Sequence, residues 1–321
     1  MTRRRILIFL LILAGFGVSF LILMFDMLGE KRPPEVYNIS VIVRGKNSDS
    51  WEGIKQGADQ AANEMNVDLS FITLSEENDL DEQIFLLHRE LESGVDAIVL
   101  SAADSAGLAP AVDQIAEKVP VICIESNVES PAVTSYISAD NYEMGVQLGE
   151  EILSSGNSRK RLAVINSSQG CNNVQQRMEG LMSILGPIGG EIGLWTIPNN
   201  TAEAVEELEH RLSERDVDVV VTLDLAALEA AAQAAANEKS TYLDLFGIGA
   251  TGKVASFIEQ DVISATIVQN EFGIGYLGVQ AAVKAIRKQP VPPVTTLEHR
   301  VINRSNMYDI DNQRLLFPFV R

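Results

Sequence analysis

Residues 97–126, AIVLSAADSAGLAPAVDQIAEKVPVICIES, carry the pattern that decides the fold. A four-residue apolar run at 97–100 gives way to a polar turn. Helical spacing follows over 108–117, and a second β-rich run occupies 119–124. Two short buried strands with a helix between them read as a βαβ unit. Such a crossover makes the strands parallel and covers both faces of their sheet.

Upstream, the same alternation places strands at 39–43 and 69–74 and helices at 50–65 and 80–92. Trp51, Ile54, Ala58, Ala61, Ala62 and Met65 are spaced to share one face of the first of these helices. Downstream, after a strand at 136–138, the alternation starts afresh. Helices are expected at 144–153, 174–185, 202–212 and 226–237, and strands at 162–166, 191–197, 217–223 and 242–248. A further strand at 265–269, a long helix at 274–287 and a β-like tail at 295–302 complete the chain. One sheet would need too many strands. The expected fold is therefore α/β, with two doubly wound Rossmann-like lobes in series.

Residues 6–25 are twenty consecutive uncharged residues, preceded by Arg3, Arg4 and Arg5 and followed by Asp26. A helix of that length covers about 30 Å, the hydrocarbon thickness of a bilayer. The arginines favour a cytoplasmic N-terminus, so the remainder is expected outside. Residues 1–26 are thus expected to be an uncleaved signal anchor, with cleavage near Gly29 the competing reading. Residues 27–36, which include Pro33 and Pro34, read as a short linker. The formal charge is −19, and the three arginines leave −22 beyond residue 25. Nucleic acid is an unsuitable partner for such a charge. Cys123 and Cys171 read as two small buried thiols, and His88, His210 and His299 show no metal-ligand spacing. Neither metal nor cofactor is implied.

Sites of doubly wound sheets lie beyond the carboxyl ends of the strands. There the chain places Asn47, Ser50 and Trp51, then Asp104, then Glu125 and Ser126. The second half adds Gln175, Arg177, Asp224 and Gln269. Carboxylates, amides and guanidinium groups can fork onto vicinal hydroxyls, while an aromatic face packs on the C–H face of a sugar ring. The mixture suits a neutral polyol. The rival enzyme signal is Gly247-Ile-Gly-Ala-Thr-Gly252, which has the spacing of a dinucleotide fingerprint between a strand and a helix. The acid expected about 20 residues further on could only be Glu271, which looks like a helix-start residue, so the segment reads as a tight turn. No nucleophile elbow or Walker loop occurs. A dinucleotide-dependent or hydrolytic enzyme on a Rossmann-like scaffold is the alternative reading.

From Tyr37 to Ile302 the chain resembles the type I periplasmic sugar-binding proteins, and through them the ligand domains of lactose-repressor-like regulators. The likeness is carried by Trp51-Glu-Gly-Ile-Lys-Gln-Gly-Ala58, by Val119-Pro-Val-Ile-Cys-Ile-Glu-Ser126 with Tyr136-Ile-Ser-Ala-Asp-Asn141, by Arg177-Met-Glu-Gly180 and by Ala265-Thr-Ile-Val-Gln269. The resemblance implies two lobes joined by three crossovers and closing on a ligand. Lobe 1 would comprise 37–139 and 270–297, and lobe 2 would comprise 140–269 and 298–321. It also implies that Trp51 stacks on sugar, that Glu125 stands for a hydroxyl-binding Asp, and that Gln269 is a hinge residue touching ligand. Asp140 and Asn141 match the crossover motif. Three positions depart from the pattern. Gln175 stands where the family has a sugar-gripping Arg, Leu223 or Asp224 where it commonly has Asn, and Gly249 where it has an acid. The expected function is membrane-anchored capture of a sugar or polyol, with an ABC permease or a sensor kinase in the same membrane as partner.

Overall fold

The computed structural model describes residues 3–28, 35–46, 48–156, 161–188, 191–239 and 242–317; in residues 3–7, 21–23, 25–28, 48 and 49 it describes the backbone alone. Residues 1–36 and 37–321 form two separate units. The first contains α1 (Arg3–Leu28, 26 residues). From Ile8 to Phe20 every residue of this helix is exposed and none is charged. Among the described residues no helix is long and apolar enough to cross a membrane. The side chains at both ends of the expected anchor, and residues 29–34 of the expected linker, lie outside the described residues.

The second unit holds two six-stranded sheets. In chain order its first elements are β1 (Tyr37–Ile42), α2 (Glu52–Met65), β2 (Val67–Ile72), α3 (Leu80–Ser93), β3 (Ala97–Leu100), α4 (Ala109–Ala116), β4 (Val121–Ile124) and β5 (Ser135–Ala139). Then come α5 (Asn141–Ser154), β6 (Leu162–Ile165), α6 (Asn172–Leu185), β7 (Ile192–Trp195), α7 (Thr201–Ser213), β8 (Val219–Thr222), α8 (Leu225–Asn237), β9 (Asp244–Ile248), α9 (Gly252–Glu259) and β10 (Ala265–Gln269). The chain closes with α10 (Glu271–Ile286), β11 (Val294–Leu297), β12 (His299–Asn303) and α11 (Ile310–Leu316). The first sheet runs β11-β5-β4-β3-β1-β2 and the second β12-β10-β9-β8-β6-β7. All pairings are parallel except β10 with β12.

Strands β3, β4, β6, β8 and β10 are buried along their whole length. Alternate residues enter opposite cores, as the two-residue period of a strand dictates. In β3, Ala97 and Val99 pack with α2 and α10, while Ile98 and Leu100 pack with α3 and α4. In the second sheet Val220 joins the core under α7 and α8, and Val219 and Val221 that under α5 and α6. Apolar side chains are therefore required on both faces, which explains the continuous runs.

The chain passes between sheets three times, at β5 to α5, β10 to α10 and β11 to β12. The last passage divides the β-like tail expected at 295–302 into two strands, one in each sheet, with Glu298 between them. Its alternating pattern is common to both pieces, so hydropathy alone cannot place the break. The long helix α10 begins directly after its crossing and lies against α2 closely enough that a Cβ on Gly57 or Gly275 would enter the backbone of the other helix.

Candidate ligand-binding site

A cavity with about 560 Å3 of empty space, partly open to solvent, lies where the carboxyl ends of the strands of the two sheets meet. From the first lobe it is lined by Arg44, Ser50, Trp51, Ile54, Glu77, Glu125 and Glu271. From the second come Arg177, Asp224, Leu225, Ala226, Ile248 and Gly249, with Gln269 at a crossing.

The turn after β4 sets the central acid. Glu125 has φ +60°, a left-handed conformation that costs a residue with a Cβ roughly 1 kcal/mol or more. Its carbonyl accepts from the Tyr136 hydroxyl at 2.9 Å and the Ser138 hydroxyl at 3.1 Å, which fixes the turn. The carboxylate therefore points inward and takes two bonds from Arg44, Nε to Oε2 at 3.0 Å and Nη2 to Oε1 at 3.1 Å. Ser101 donates at 2.9 Å, and Asn173 of α6 donates from the other lobe. Burial pushes this carboxyl up, but Arg44, Arg177 and the donated hydrogen bonds outweigh it and hold the group below the usual carboxylate value.

Arg177 is 2% exposed. Its Nε donates to Asn141 Oδ1 and its Nη1 to the Leu223 carbonyl, both at 2.9 Å, while Nη2 makes no hydrogen bond and lies 3.9 Å from Glu125 Oε1. Desolvation lowers its pKa below that of an ordinary arginine, with Arg44 adding to the effect against the pull of Glu125. Trp51 is buried beneath the Arg44 guanidinium, 5.7 Å from ring centroid to Cζ, and flanks the same cavity. Glu271 stands at the first position of α10 opposite Gly53, where a Cβ would come within 2.7 Å of its Oε2. Burial, the Glu125 charge adding to it, raises its carboxyl to about 8.

Of the residues expected at the site, Ser50, Trp51, Glu125, Arg177, Asp224 and Gln269 share this cavity. Asn47 lies outside the described residues. Asp104, Ser126, Asp140 and Gln175 do not line it. Asp104 accepts from the Gly107 amide, and Ser126 is buried behind the turn. Asp140 is the N-cap of α5, accepting from Glu143 N, and Gln175 is exposed and bonds the Gln169 carbonyl. Asp224 has a capping task too: it accepts from Ala227 N, Ser167 and Ser168. Arg44, Glu77 and Glu271 were not expected. Arg44 lies two residues beyond the end of β1, so the strand-end rule alone would have flagged it.

The lobes also touch beside the cavity. Asn78 donates to Ser168 at 3.1 Å, Ser105 N to the Gly170 carbonyl at 2.8 Å, and Asn199 to the Glu77 carbonyl at 3.4 Å. Two of the three glycines of the 247–252 segment have packing tasks, while a Cβ on Gly252 would meet open space. Gly247 is pressed against Thr222 and Leu228, and Gly249, at φ +131°, against Leu225.

Two doubly wound sheets, three crossings and a polar cavity between the sheet ends define a two-lobed binding protein of the hinged type. The chain belongs to the family described as periplasmic binding protein domain, whose profile matches residues 39–290. It is similar to the ABC transporter periplasmic-binding protein YphF of Escherichia coli strain K12, at 24% identity over 261 residues, covering 74% of this chain and 77% of that protein. It is also similar to the ribose import binding protein RbsB of Bacillus subtilis strain 168, at 23% identity, covering 77% and 80% of the two chains. Among solved structures, a carbohydrate transporter solute-binding protein from Agrobacterium radiobacter in complex with D-arabinose superposes with a TM-score of 0.84 at 21% identity. The match covers 88% of this chain and all of that one.

Proposed function

We propose that this protein captures a sugar or related polyol in the cavity between its lobes, as a binder and not an enzyme. The observation that carries this reading is the lining itself. An indole, two guanidinium groups, an amide and several carboxylates converge at the strand ends, a set suited to hydroxyl groups on one side and a C–H face on the other. The relative named for ribose import and the solved structure holding D-arabinose support the same class of ligand.

The N-terminal segment holds the binding unit at a membrane as an uncleaved anchor. The uncharged, exposed run from Ile8 to Phe20 behind three arginines supports this. Its partner is then a protein of the same membrane, an ABC permease that takes the solute or a sensor kinase that reports it.

Thermal shift of the full chain in mild detergent against a panel of pentoses, hexoses and polyols tests the binding. At least one compound should raise the melting temperature, since a ligand of the native state stabilises it by RT ln(1 + [L]/Kd). Trp51→Phe, which keeps an aromatic face, should retain the shift, and Trp51→Ala should lose it. A panel with no shift overturns the proposal. Alkaline extraction of membranes tests the anchor, and release of the chain into the soluble fraction overturns that part.

A further inference from the structure

The charges around the cavity do not balance. Its lining brings Glu125, Asp224 and Glu271 against two cations, Arg44 and Arg177, while Glu77 accepts from the Lys46 amide at 2.9 Å. Arg44 is spent on Glu125, with Arg177 close behind. Asp224 is satisfied by two serine hydroxyls and a backbone amide. Glu271 has no hydrogen bond or ion pair among the described residues. Its side chain fills the space left by Gly53, and the carboxyl borders the cavity.

Two further groups in the lining are unmet. Arg177 Nη2 is a buried donor without a hydrogen-bond acceptor, and Gln269, 7% exposed, has an Oε1 without a donor. A buried polar group left so is costly, and a charged one more so, which marks both as groups that a ligand completes. A neutral sugar supplies hydroxyls to Arg177 and Gln269 but leaves Glu271 either uncompensated or protonated. A ligand with a cation and hydroxyls meets all three.

Resting on the reading of the cleft as a polyol site, we infer that its ligand is an amine-bearing polyol, a protonated amino sugar whose ammonium group is received by Glu271 and whose hydroxyls meet Arg177 and Gln269. Glu271 is then the residue that sets specificity against neutral sugars. The raised carboxyl pKa in the empty cleft agrees with a missing cation.

Titration calorimetry of the full chain with D-glucosamine, D-galactosamine and D-mannosamine, each beside its neutral parent and its N-acetyl derivative, tests this. At least one amine should bind ten-fold or more tightly than its parent hexose, and acetylation, which removes the charge, should abolish the preference. Glu271→Gln should bring amine and parent to within about two-fold of each other. The N-acetyl comparison uses the unaltered protein and stands whether or not the variant folds. Parent hexoses binding as tightly as the amines, or a preference that survives acetylation, overturns the amine assignment alone. If neither neutral nor amino sugars bind, the polyol reading beneath it falls as well.

Discussion

The Arg44 guanidinium grips the Glu125 carboxylate through two hydrogen bonds, at 3.0 and 3.1 Å, with both side chains less than one-tenth exposed. Both charges have left water, and the carboxylate takes further donors from Ser101 and Asn173. A pair so placed adds little net stability compared with apolar residues, but losing one partner strands the other. Glu125→Ala should therefore destabilise the fold by about 3–5 kcal/mol, because Arg44 and Arg177 lose their common counter-charge. Urea unfolding measures this. In the double variant Arg44→Met, Glu125→Ala, part of the loss should return, and a double variant less stable than the sum of the singles would refute the pairing.

Glu271 supplies a pH dependence of opposite sign to that of Glu125. Its folded pKa, about 8, lies above the ordinary 4.5, so between these values the folded state holds a proton that the unfolded chain has released. This contribution is fully present below pH 4.5 and is lost as pH rises through 8. For Glu125, whose folded pKa is depressed, the contribution is present above the ordinary carboxylate range and lost as pH falls through the folded value. Glu271→Gln should accordingly raise the melting temperature at pH 9 relative to the unaltered chain and change it little at pH 4.5. Equal effects at both pH values would contradict the assignment.

The layering of both lobes was legible because buried parallel strands force apolar runs of four to six residues, and amphipathic helices between them repeat every three to four. The strand order within each sheet was not, because pairing partners far apart in sequence leave no local trace, and the change of lobe at 297/298 came from the family resemblance alone. The site was legible in part for a physical reason. Strand ends reveal which residues can reach a cleft, but not which polar groups are consumed internally. Asp140 and Asp224 both follow strands, and both cap helices; Asp224 alone also borders the cavity. Glu271 looked like a helix-start acid and is one, yet its side chain borders the cavity because α10 begins directly after a crossing.

Cys123 and Cys171 are both free and fully buried, and burial pushes each thiol up to about 12. The thiolate is the reactive form, so neither should react in the folded protein. Labelling with a neutral-pH thiol reagent should give no modification under native conditions and two modified residues in urea, without prior reduction. One or more labelled sites in the native state would show that the region around that cysteine opens.

Asn173 donates across the cleft to the Glu125 carboxylate, while Arg44 and Ser101 hold that carboxylate from within its own lobe. Removing the amide therefore leaves the first lobe's network intact and deletes only an interlobe bond. A hydrogen bond to a charged group contributes about 1.5–3 kcal/mol, so Asn173→Ala should lower the ratio of closed to open forms by roughly ten-fold or more. The other hydrogen bonds between the lobes, among them Asn78 with Ser168, Ser105 with Gly170 and Asn199 with the Glu77 carbonyl, are to neutral groups and are expected to hold less strongly, and Arg177 stays 3.9 Å from Glu125. Small-angle scattering should then report a larger radius of gyration for Asn173→Ala than for the unaltered chain in the absence of ligand. Saturating ligand should bring the two together, because binding restores the bias toward closure. A variant as compact as the unaltered chain without ligand would mean that the bond across Glu125 does not govern opening, and that the hinge segments alone set it.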